Sequence, residues 1–257
     1  MFGMNDYKLT FIIAMKYYRG YESYLKYYVE NIHKFYLNSL IIIIDNNSTY
    51  KDDVFDQLKD YSNVILLDND IESKFELGSY QVGIKYLINH NLLDSDYYIF
   101  TQDNFILKNR YDFNILGANN IMACPINSFH YDGYMSHIVS DVLSKINLNN
   151  NMDKITFCWA NSFIVHKQKI MELYNYIKNI VIKVRVESEA SERYMARILW
   201  ELNNYVNFDI DGPIQQQLYE HSSPAAYDCD KVNPYDKITG VYFLKKVQQK
   251  NENTTNK

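Results

Sequence analysis

An apolar segment that begins at Tyr97 ends on three polar residues, Gln102, Asp103 and Asn104, before apolar residues resume at Phe105. One carboxylate with neutral amide oxygens is an acceptable ligand set for Mg²⁺ or Mn²⁺ when diphosphate oxygens and water complete the shell. The same residue types are also typical of a polar turn, because Asp and Asn bind the nearby backbone. The pattern therefore indicates either a metal and phosphate site at a strand end or a turn without chemistry.

Polar residues follow the three earlier apolar segments in the same way. They read MKYYRG from Met15, DNNST from Asp45 and DNDIESKFELG from Asp68. Ligands of open parallel sheets bind outside the carboxyl ends of the strands. We therefore expect these four polar segments to converge on one binding site.

The elements that must position these residues alternate along the chain. Apolar segments that predict strands cover residues 9–15, 40–44, 63–70 and 97–104, and helical patterns cover 21–36, 52–61 and 79–91. This alternation predicts an α/β fold with a mostly parallel, Rossmann-like sheet flanked by helices. Further strands at 119–126 and 154–166 and further helices at 133–146, 167–180 and 191–203 are expected. One domain would cover residues 1–220, and residues 221–257 would form a C-terminal extension or lid with a disordered tail.

The composition excludes several classes of function. A net charge of -5 and a pI near 5.7 lack the basic footprint that a nucleic-acid-binding protein requires. The three cysteines are far apart and odd in number, which favours a reducing compartment over a disulfide framework or a zinc site. With no signal-peptide pattern and no apolar run long enough to cross a bilayer, we expect a cytoplasmic protein without a transmembrane segment.

Three common motifs of nucleotide and ester chemistry are absent from the sequence. There is no G-x-G-x-x-G dinucleotide fingerprint, no P-loop and no G-x-S-x-G nucleophile elbow. We therefore expect a sheet that would bind a nucleotide through side chains, with a metal for the phosphates.

Three segments, in order, resemble GT-A glycosyltransferases, particularly those of the large family 2. SLIIIIDNNST (residues 39–49) resembles their second-strand segment, and FELGSYQVGIKYL (75–87) is similar to the loop and helix that cross under the sugar nucleotide. DYYIFTQDNFIL (96–107) looks like the strand that carries the Asp-x-Asp metal motif. The resemblance covers residues 1–110, less than half of the chain.

The resemblance implies roles in binding the sugar nucleotide. Asp45 takes the place of the carboxylate that contacts the nucleoside, and Ser48 matches the serine of the same motif. Glu76 and Gly78 occupy the matching places of the loop and helix, and Gln102 belongs to the same donor-binding set. On the residues alone, Asp45 is also typical of an Asx turn, and Gly78 is equally typical of a close backbone approach.

The metal motif departs from the family pattern, since Gln-Asp-Asn stands where two carboxylates are usual and DNNS stands where DDGS is usual. Asp103 and Asn104 would hold Mn²⁺ or Mg²⁺ weakly in the free protein and more firmly with the nucleotide. His221 would complete the metal shell from a closing loop, and Arg19 would reach a phosphate. Both also fit ordinary surface residues.

VESEASERYMARILW (residues 186–200) resembles the helix that carries the general base of inverting transferases. With Ser188 or Ser191 as the N-cap, Glu192 first and Glu189 second would lie near the helix start as candidate bases for the acceptor hydroxyl. Alternatively, both carboxylates only stabilise the helix dipole, and a retaining enzyme needs no such base.

The expected function is transfer of a sugar from a nucleotide-diphosphate sugar donor to a glycan, protein or small-molecule acceptor, assisted by Mn²⁺ or Mg²⁺. A sugar-nucleotide-binding protein without catalysis is the alternative, because one metal carboxylate is missing. A nucleotidyltransferase on a similar sheet is a third possibility, although MKYYRGYES lacks the Gly-rich basic loop of that class.

Overall fold

The structure is a computed structural model that describes residues 8–17, 24–107, 110, 113, 122–127, 133–148, 156–203 and 243–245. The strands are β1 (Leu9–Met15), β2 (Leu40–Asp45), β3 (Val64–Asp68), β4 (Tyr97–Gln102), β5 (Phe105–Leu107), β6 (Met122–Asn127), β7 (Thr156–His166) and β8 (Phe243–Lys245). The α-helices are α1 (Leu25–Phe35), α2 (Asp52–Phe55), α3 (Phe75–Asn89), α4 (Gly133–Lys145), α5 (Ile170–Ile177) and α6 (Arg185–Leu202), and a short 3₁₀ turn (Lys167–Lys169) precedes α5.

A six-stranded sheet with the order β3-β2-β1-β4-β7-β6 forms the centre of the molecule. Strands β1 to β4 are parallel, whereas β7 is antiparallel to β4 and to β6. The predicted α/β class, with a mostly parallel, Rossmann-like sheet flanked by helices, is confirmed. The parallel register places the ends of β1, β2 and β4 side by side, since Met15 pairs with Asp45 and Ala14 with Gln102.

Helices cover both faces of the sheet, which explains why its central strands read as continuous apolar runs. The four residues Ile41–Ile44 are fully buried, with alternate side chains in two separate apolar clusters. Helices α3, α4, α5 and α6 contribute to one cluster, and α1 and α2 contribute to the other. Each such isoleucine contributes about 1.5–3 kcal/mol by leaving water.

Several helix boundaries differ from the predicted ones. Helix α2 ends at Phe55, where the amides of Gln57 and Leu58 bond three residues back, to Val54 O (3.1 Å) and Phe55 O (2.9 Å), and the chain continues as turns. Helix α3 begins at Phe75, four residues earlier than predicted, and α5 is confined to Ile170–Ile177 within the predicted 167–180.

The prediction that Ser188 or Ser191 caps the last described helix is wrong. Helix α6 begins at Arg185, because the Glu187 carboxylate accepts the otherwise unpaired amides of Lys183 (2.7 Å) and Val184 (3.2 Å). A carboxylate there also suits the positive end of the helix dipole. Glu189 and Glu192 therefore lie in the second and third turns rather than at the start.

Strand β8 pairs antiparallel with β5, the strand that follows the Asp103–Asn104 turn. This pairing is the described part of the predicted C-terminal extension. The boundary proposed at residues 220 and 221 lies outside the described residues, as do His221 and Arg19. In the described part of the chain, no helix combines the length and the apolar character needed to cross a bilayer.

Candidate active site

Hydrogen bonds join the carboxyl ends of β1, β2 and β4. The backbone amide of Lys16 donates to Asp103 Oδ2 at 2.9 Å, and the Asp103 amide donates to Ala14 O at 2.9 Å. The Asn46 amide donates to Met15 O at 2.8 Å. The predicted convergence of these three polar segments is therefore present.

The side chain of Lys16 crosses from β1 to the end of β2. Its ammonium donates to Asn46 O at 2.7 Å and to Asn47 O at 2.6 Å. Lysine is a compact charge with three donors, so it can hold two carbonyls at once. Sequence reasoning missed Lys16 because Arg19, in the same segment, drew the prediction of a phosphate contact. The sequence feature that could have revealed Lys16 is its position directly after Met15, the last apolar residue of β1.

Asp45 closes a tight turn at the end of β2. One of its oxygens accepts the Ser48 amide at 2.9 Å, and the other accepts the Ser48 hydroxyl. Asn47 adopts a left-handed backbone with φ of 66°, and the Ser48 hydroxyl accepts the Tyr17 amide at 2.7 Å. Asp45 is 2% exposed. The carboxylate thus forms the Asx turn, and its contact with a nucleoside stays a prediction.

A buried amide pair occupies the next position of the DNNS segment. Asn46 Nδ2 donates to Phe75 O (3.0 Å) and to Ser79 Oγ (2.6 Å), while its Oδ1 accepts from Asn69 Nδ2 (2.7 Å). Asn69 Nδ2 also donates to Ser73 O at 2.9 Å. An aspartate could not supply these donors, which gives a physical reason for DNNS where the resemblance leads one to expect DDGS.

The start of α3 is fixed by backbone contacts rather than by open space for a ligand. Phe75 has φ of 59°, an uncommon conformation for a bulky residue, and its carbonyl is held by Asn46. A Cβ atom at Gly78 would lie 2.1 Å from Ser73 O and 2.8 Å from Asn69 Nδ2. The close approach of the Ser73 backbone therefore explains why residue 78 is a glycine. Contact of Gly78 with a sugar nucleotide stays a prediction.

The Glu76 carboxylate connects three elements. Its Oε1 accepts from Gln102 Nε2 at 2.6 Å, at the end of β4, and its Oε2 accepts from Ser188 Oγ at 3.1 Å, on α6. Glu76 itself lies in the first turn of α3, where the helix dipole favours an anion. The structure thus brings together Glu76 and Gln102, as predicted, and adds Ser188, which the prediction treated only as a cap.

Asp103 and Asn104 form the turn between β4 and β5. Asp103 Oδ2 accepts from Lys16 N, and the buried Asn104 Oδ1 has no hydrogen-bond partner among the described residues. A carboxylate oxygen and a shielded amide oxygen fit a hard divalent cation whose remaining ligands come from a diphosphate and water. No group of three or more His, Cys, Asp or Glu side chains suited to a metal occurs in the described ranges.

The two candidate bases differ in their surroundings. Glu189 accepts from Arg185 Nε at 2.8 Å in an ion pair whose arginine side chain is 87% exposed. Its backbone carbonyl accepts from Arg193 at 2.8 Å. Glu192 is half-buried, as Glu189 is, and lies one turn beyond Ser188. By helix spacing, Glu192 shares the face of α6 that carries Ser188, the residue bonded to Glu76, whereas Glu189 pairs with the exposed Arg185.

Buried tyrosines near the junction do not offer an alternative base. Burial raises the pKa of Tyr80 well above its ordinary value, and the charge of Glu76 raises it further. Burial also raises the pKa of Tyr194 on α6. Both phenols stay protonated at neutral pH, so carboxylates remain the candidate bases of this site.

Comparison with known proteins gives similarities at the level of structure. No protein-family model matches the chain, and no curated protein matches it significantly. One similar solved structure is the mannosyltransferase Ktr4p from S. cerevisiae in complex with GDP, at TM-score 0.35 and 12% identity over 72% of this chain and 66% of that chain. Another is glucosyl-3-phosphoglycerate synthase from Mycobacterium tuberculosis in complex with Mn²⁺, UDP and phosphoglyceric acid, at TM-score 0.36 and 8% identity over 78% and 80%.

The first match spans just under two thirds of that chain's length. At these TM-scores and identities, neither similarity carries an argument about the function of this protein.

Proposed function

We propose that the protein is a glycosyltransferase that moves a sugar from a nucleotide-diphosphate sugar to the hydroxyl group of a glycan, a protein or a small molecule. The observation that carries the proposal is the convergence of the three segments that resemble GT-A enzymes. Asp45, Glu76 and Asp103 come from three different segments and lie at the ends or starts of adjacent elements. Hydrogen bonds through Lys16 and Gln102 tie these elements together.

The donor's diphosphate would be bound together with Mn²⁺ or Mg²⁺. Asp103 and Asn104 would hold the ion, with diphosphate oxygens and water as its other ligands. Held there, such an ion would supply Lewis-acid chemistry by neutralising the charge that develops on the leaving diphosphate. The pair of residues offers only one carboxylate, so metal affinity should depend strongly on the nucleotide.

Glu192 would take the proton from the acceptor hydroxyl, with Glu189 as the second candidate. A general base must reach the attacking hydroxyl. In support of Glu192, Ser188 and Glu192 lie on neighbouring turns of α6, and Ser188 bonds Glu76, one of the proposed donor-side residues. Glu189 is held by Arg185 in solvent, which favours Glu192.

A sugar-nucleotide-binding protein without catalysis is the second candidate. It is favoured by one observation, the amide residues Gln102 and Asn104 on either side of the single carboxylate Asp103. Binding of a nucleotide sugar without release of nucleoside diphosphate would distinguish it from the transferase.

The test is a thermal-unfolding screen of nucleotide sugars with and without MnCl₂, on the wild type and on Asp103→Asn. A ligand at about 100 times its dissociation constant adds about 2.7 kcal/mol to stability, a readily measured shift. We expect a Mn²⁺-dependent shift in the wild type that disappears in Asp103→Asn. The asparagine still accepts from Lys16 N but lacks the charge.

Asp141→Asn is the matched control, because Asp141 is an exposed residue of α4 whose side chain forms an ion pair with Lys145 on the same helix. It should keep the wild-type shift. If no nucleotide sugar shifts the wild type under either condition, both the transferase and the binding protein are ruled out.

A further inference from the structure

We propose that Glu76 is a positioning residue that holds the base-bearing helix α6 against the donor side of the site through Ser188, rather than a direct ligand of the sugar nucleotide. This inference rests on the proposed transferase function. It reassigns Glu76 from the role that the family resemblance implies, because both oxygens of its carboxylate are engaged by the protein itself.

Two side chains donate hydrogen bonds to Glu76, one next to the proposed metal ligand and one on the helix of the proposed base. Gln102 precedes Asp103, the proposed metal ligand, and donates at 2.6 Å. Ser188 lies on the helix of the proposed base and donates at 3.1 Å. Hydrogen bonds to a carboxylate are stronger than those between neutral groups. The carboxylate is therefore a rigid connection between the end of β4 and the N-terminal half of α6.

Helix geometry links Ser188 to one of the two candidate bases. Residues four apart lie on the same helix face, so Ser188 and Glu192 are neighbours, whereas Glu189 lies about 100° around the helix from Ser188. Loss of the Ser188 contact would thus shift the position of Glu192 relative to the bound donor. Glu189 faces Arg185 and is not part of this connection.

A second contact holds the same part of α6 against the sheet. The Ser191 hydroxyl donates to Ser188 O at 2.6 Å, so its oxygen accepts from Asn161 Nδ2 at 2.7 Å. Asn161 is 1% exposed and has φ of 48°, near the register shift between β6 and β7. Glu76 and Asn161 therefore both hold the first half of α6. Of these two residues, Glu76 also contacts Gln102, which precedes the proposed metal ligand Asp103.

The distinguishing prediction is a separation of turnover from donor binding. The replacement Ser188→Ala removes the hydroxyl group that donates a hydrogen bond to Glu76. It leaves Asp103 and Asn104, the proposed metal ligands, unchanged. Misplacement of a catalytic group by about 1 Å can cost about 100-fold in rate. We expect kcat to fall by about 10-fold to 100-fold, with the KM for the donor unchanged within about twofold. Ser188→Thr keeps the hydroxyl and should restore most of kcat.

The assay measures nucleoside diphosphate released from UDP-glucose and from GDP-mannose with MnCl₂, with water as the acceptor, together with the nucleotide-induced shift of thermal unfolding. Ser144→Ala is the control, since Ser144 is an exposed serine of α4. It should match the wild type in both measurements.

The outcomes separate this inference from the function on which it rests. A wild type that binds and hydrolyses a donor, with an unchanged kcat in Ser188→Ala, overturns the inference and leaves the transferase standing. Loss of sugar-nucleotide binding in Ser188→Ala also overturns it, because the contact between Ser188 and Glu76 would then support substrate binding rather than the position of the base. A wild type that neither binds nor hydrolyses any donor overturns the transferase, and the inference with it.

Discussion

Asn69 donates a 2.7 Å hydrogen bond from its side-chain amide to Oδ1 of Asn46, so two buried amides join the ends of β2 and β3. Every polar atom of the two amide groups has a partner, and two of those partners are backbone carbonyls at the start of α3. Fully satisfied buried networks make the local structure rigid, and a partly satisfied one is costly. Within the DNNS segment, Asn46 therefore has a structural role, which is to hold the start of α3 in place.

Replacement Asn46→Asp should destabilise the protein. It removes both donors to Phe75 O and Ser79 Oγ and places a carboxylate against a carbonyl in a buried site. Leaving buried polar groups without partners costs about 1–3 kcal/mol, and more for a charge. Urea unfolding should show a loss of at least this size. The neighbour Asn47 is exposed with φ of 66°, so Asn47→Asp should stay within about 0.5 kcal/mol of the wild type.

Replacement Gly78→Ala should cost more than Gly83→Ala, although both residues lie inside α3. The new methyl group at Gly78 would lie 2.1 Å from the backbone oxygen of Ser73, which cannot move without shifting the loop. At Gly83 the nearest atom is Ile12 Cγ2 at 2.7 Å, part of a side chain that can adjust. Overpacking costs about 1–3 kcal/mol, against a helix-propensity gain of about 1 kcal/mol.

Chemical denaturation of the two variants measures this difference. We expect a clear loss in Gly78→Ala and a smaller change of either sign in Gly83→Ala. Equal stability of the two variants would contradict the close approach of Gly78 to Ser73 as the reason for the glycine.

The sheet could be predicted from the sequence because its strands are long, apolar and punctuated by polar segments. Ile41–Ile44 can only be buried on both faces, and this property is visible without coordinates. The convergence of Asp45, Glu76 and Asp103 followed from the parallel order of the strands.

The start of α3 could not be predicted, because a long-range contact determines it, whereas α2 and α4 begin at Asp52 and Gly133 as predicted. Helix α3 begins at a left-handed Phe75 that depends on Asn46, far away in the sequence, and no periodicity reveals such a bond. Ser188 read as an N-cap because serine favours that position, yet its hydroxyl binds Glu76, 112 residues away. Single polar residues without fixed spacing, such as Asn69 and Asn161, leave no pattern to detect.

Replacement Glu192→Gln should abolish most of the turnover while nucleotide binding is kept. A general base contributes about 100-fold to 10,000-fold to the rate, and glutamine cannot accept the proton. Glu189→Gln breaks only a solvated pair with Arg185 and should keep turnover within about threefold. Release of nucleoside diphosphate measures turnover, and the nucleotide-induced shift of thermal unfolding measures nucleotide binding. Wild-type turnover in Glu192→Gln would show that Glu192 is not the base.

The stability of the fold should fall on acidification below about pH 6.5 because of His166. Burial lowers the pKa of this imidazole from 6.5, the charge of Lys167 lowers it further, and Asp96 opposes them only partly. The neutral ring is thus favoured in the folded protein, and the unfolded chain takes up the proton first as the pH falls. This contribution is fully present above the unfolded pKa and is lost as the pH falls through the lowered folded pKa.

The variant His166→Phe removes the titration and keeps an aromatic ring where His166 packs edge-on against Tyr97 at 5.2 Å. It also removes the bond that His166 Nδ1 accepts from the Gln168 amide, so the test compares the pH dependence of stability and not its absolute value. Thermal unfolding between about pH 7.5 and about pH 5 should show a smaller loss in this variant than in the wild type. Asp96 does not confound this range, since hydrogen bonds from Lys167 and Lys8 outweigh its burial and lower its pKa below 3.8. The exposed His90, whose ring stacks on Tyr86, provides the control His90→Phe, which should retain the acid sensitivity. If the wild type and His166→Phe lost the same thermal stability over this pH range, protonation of His166 would not be the cause of the acid sensitivity.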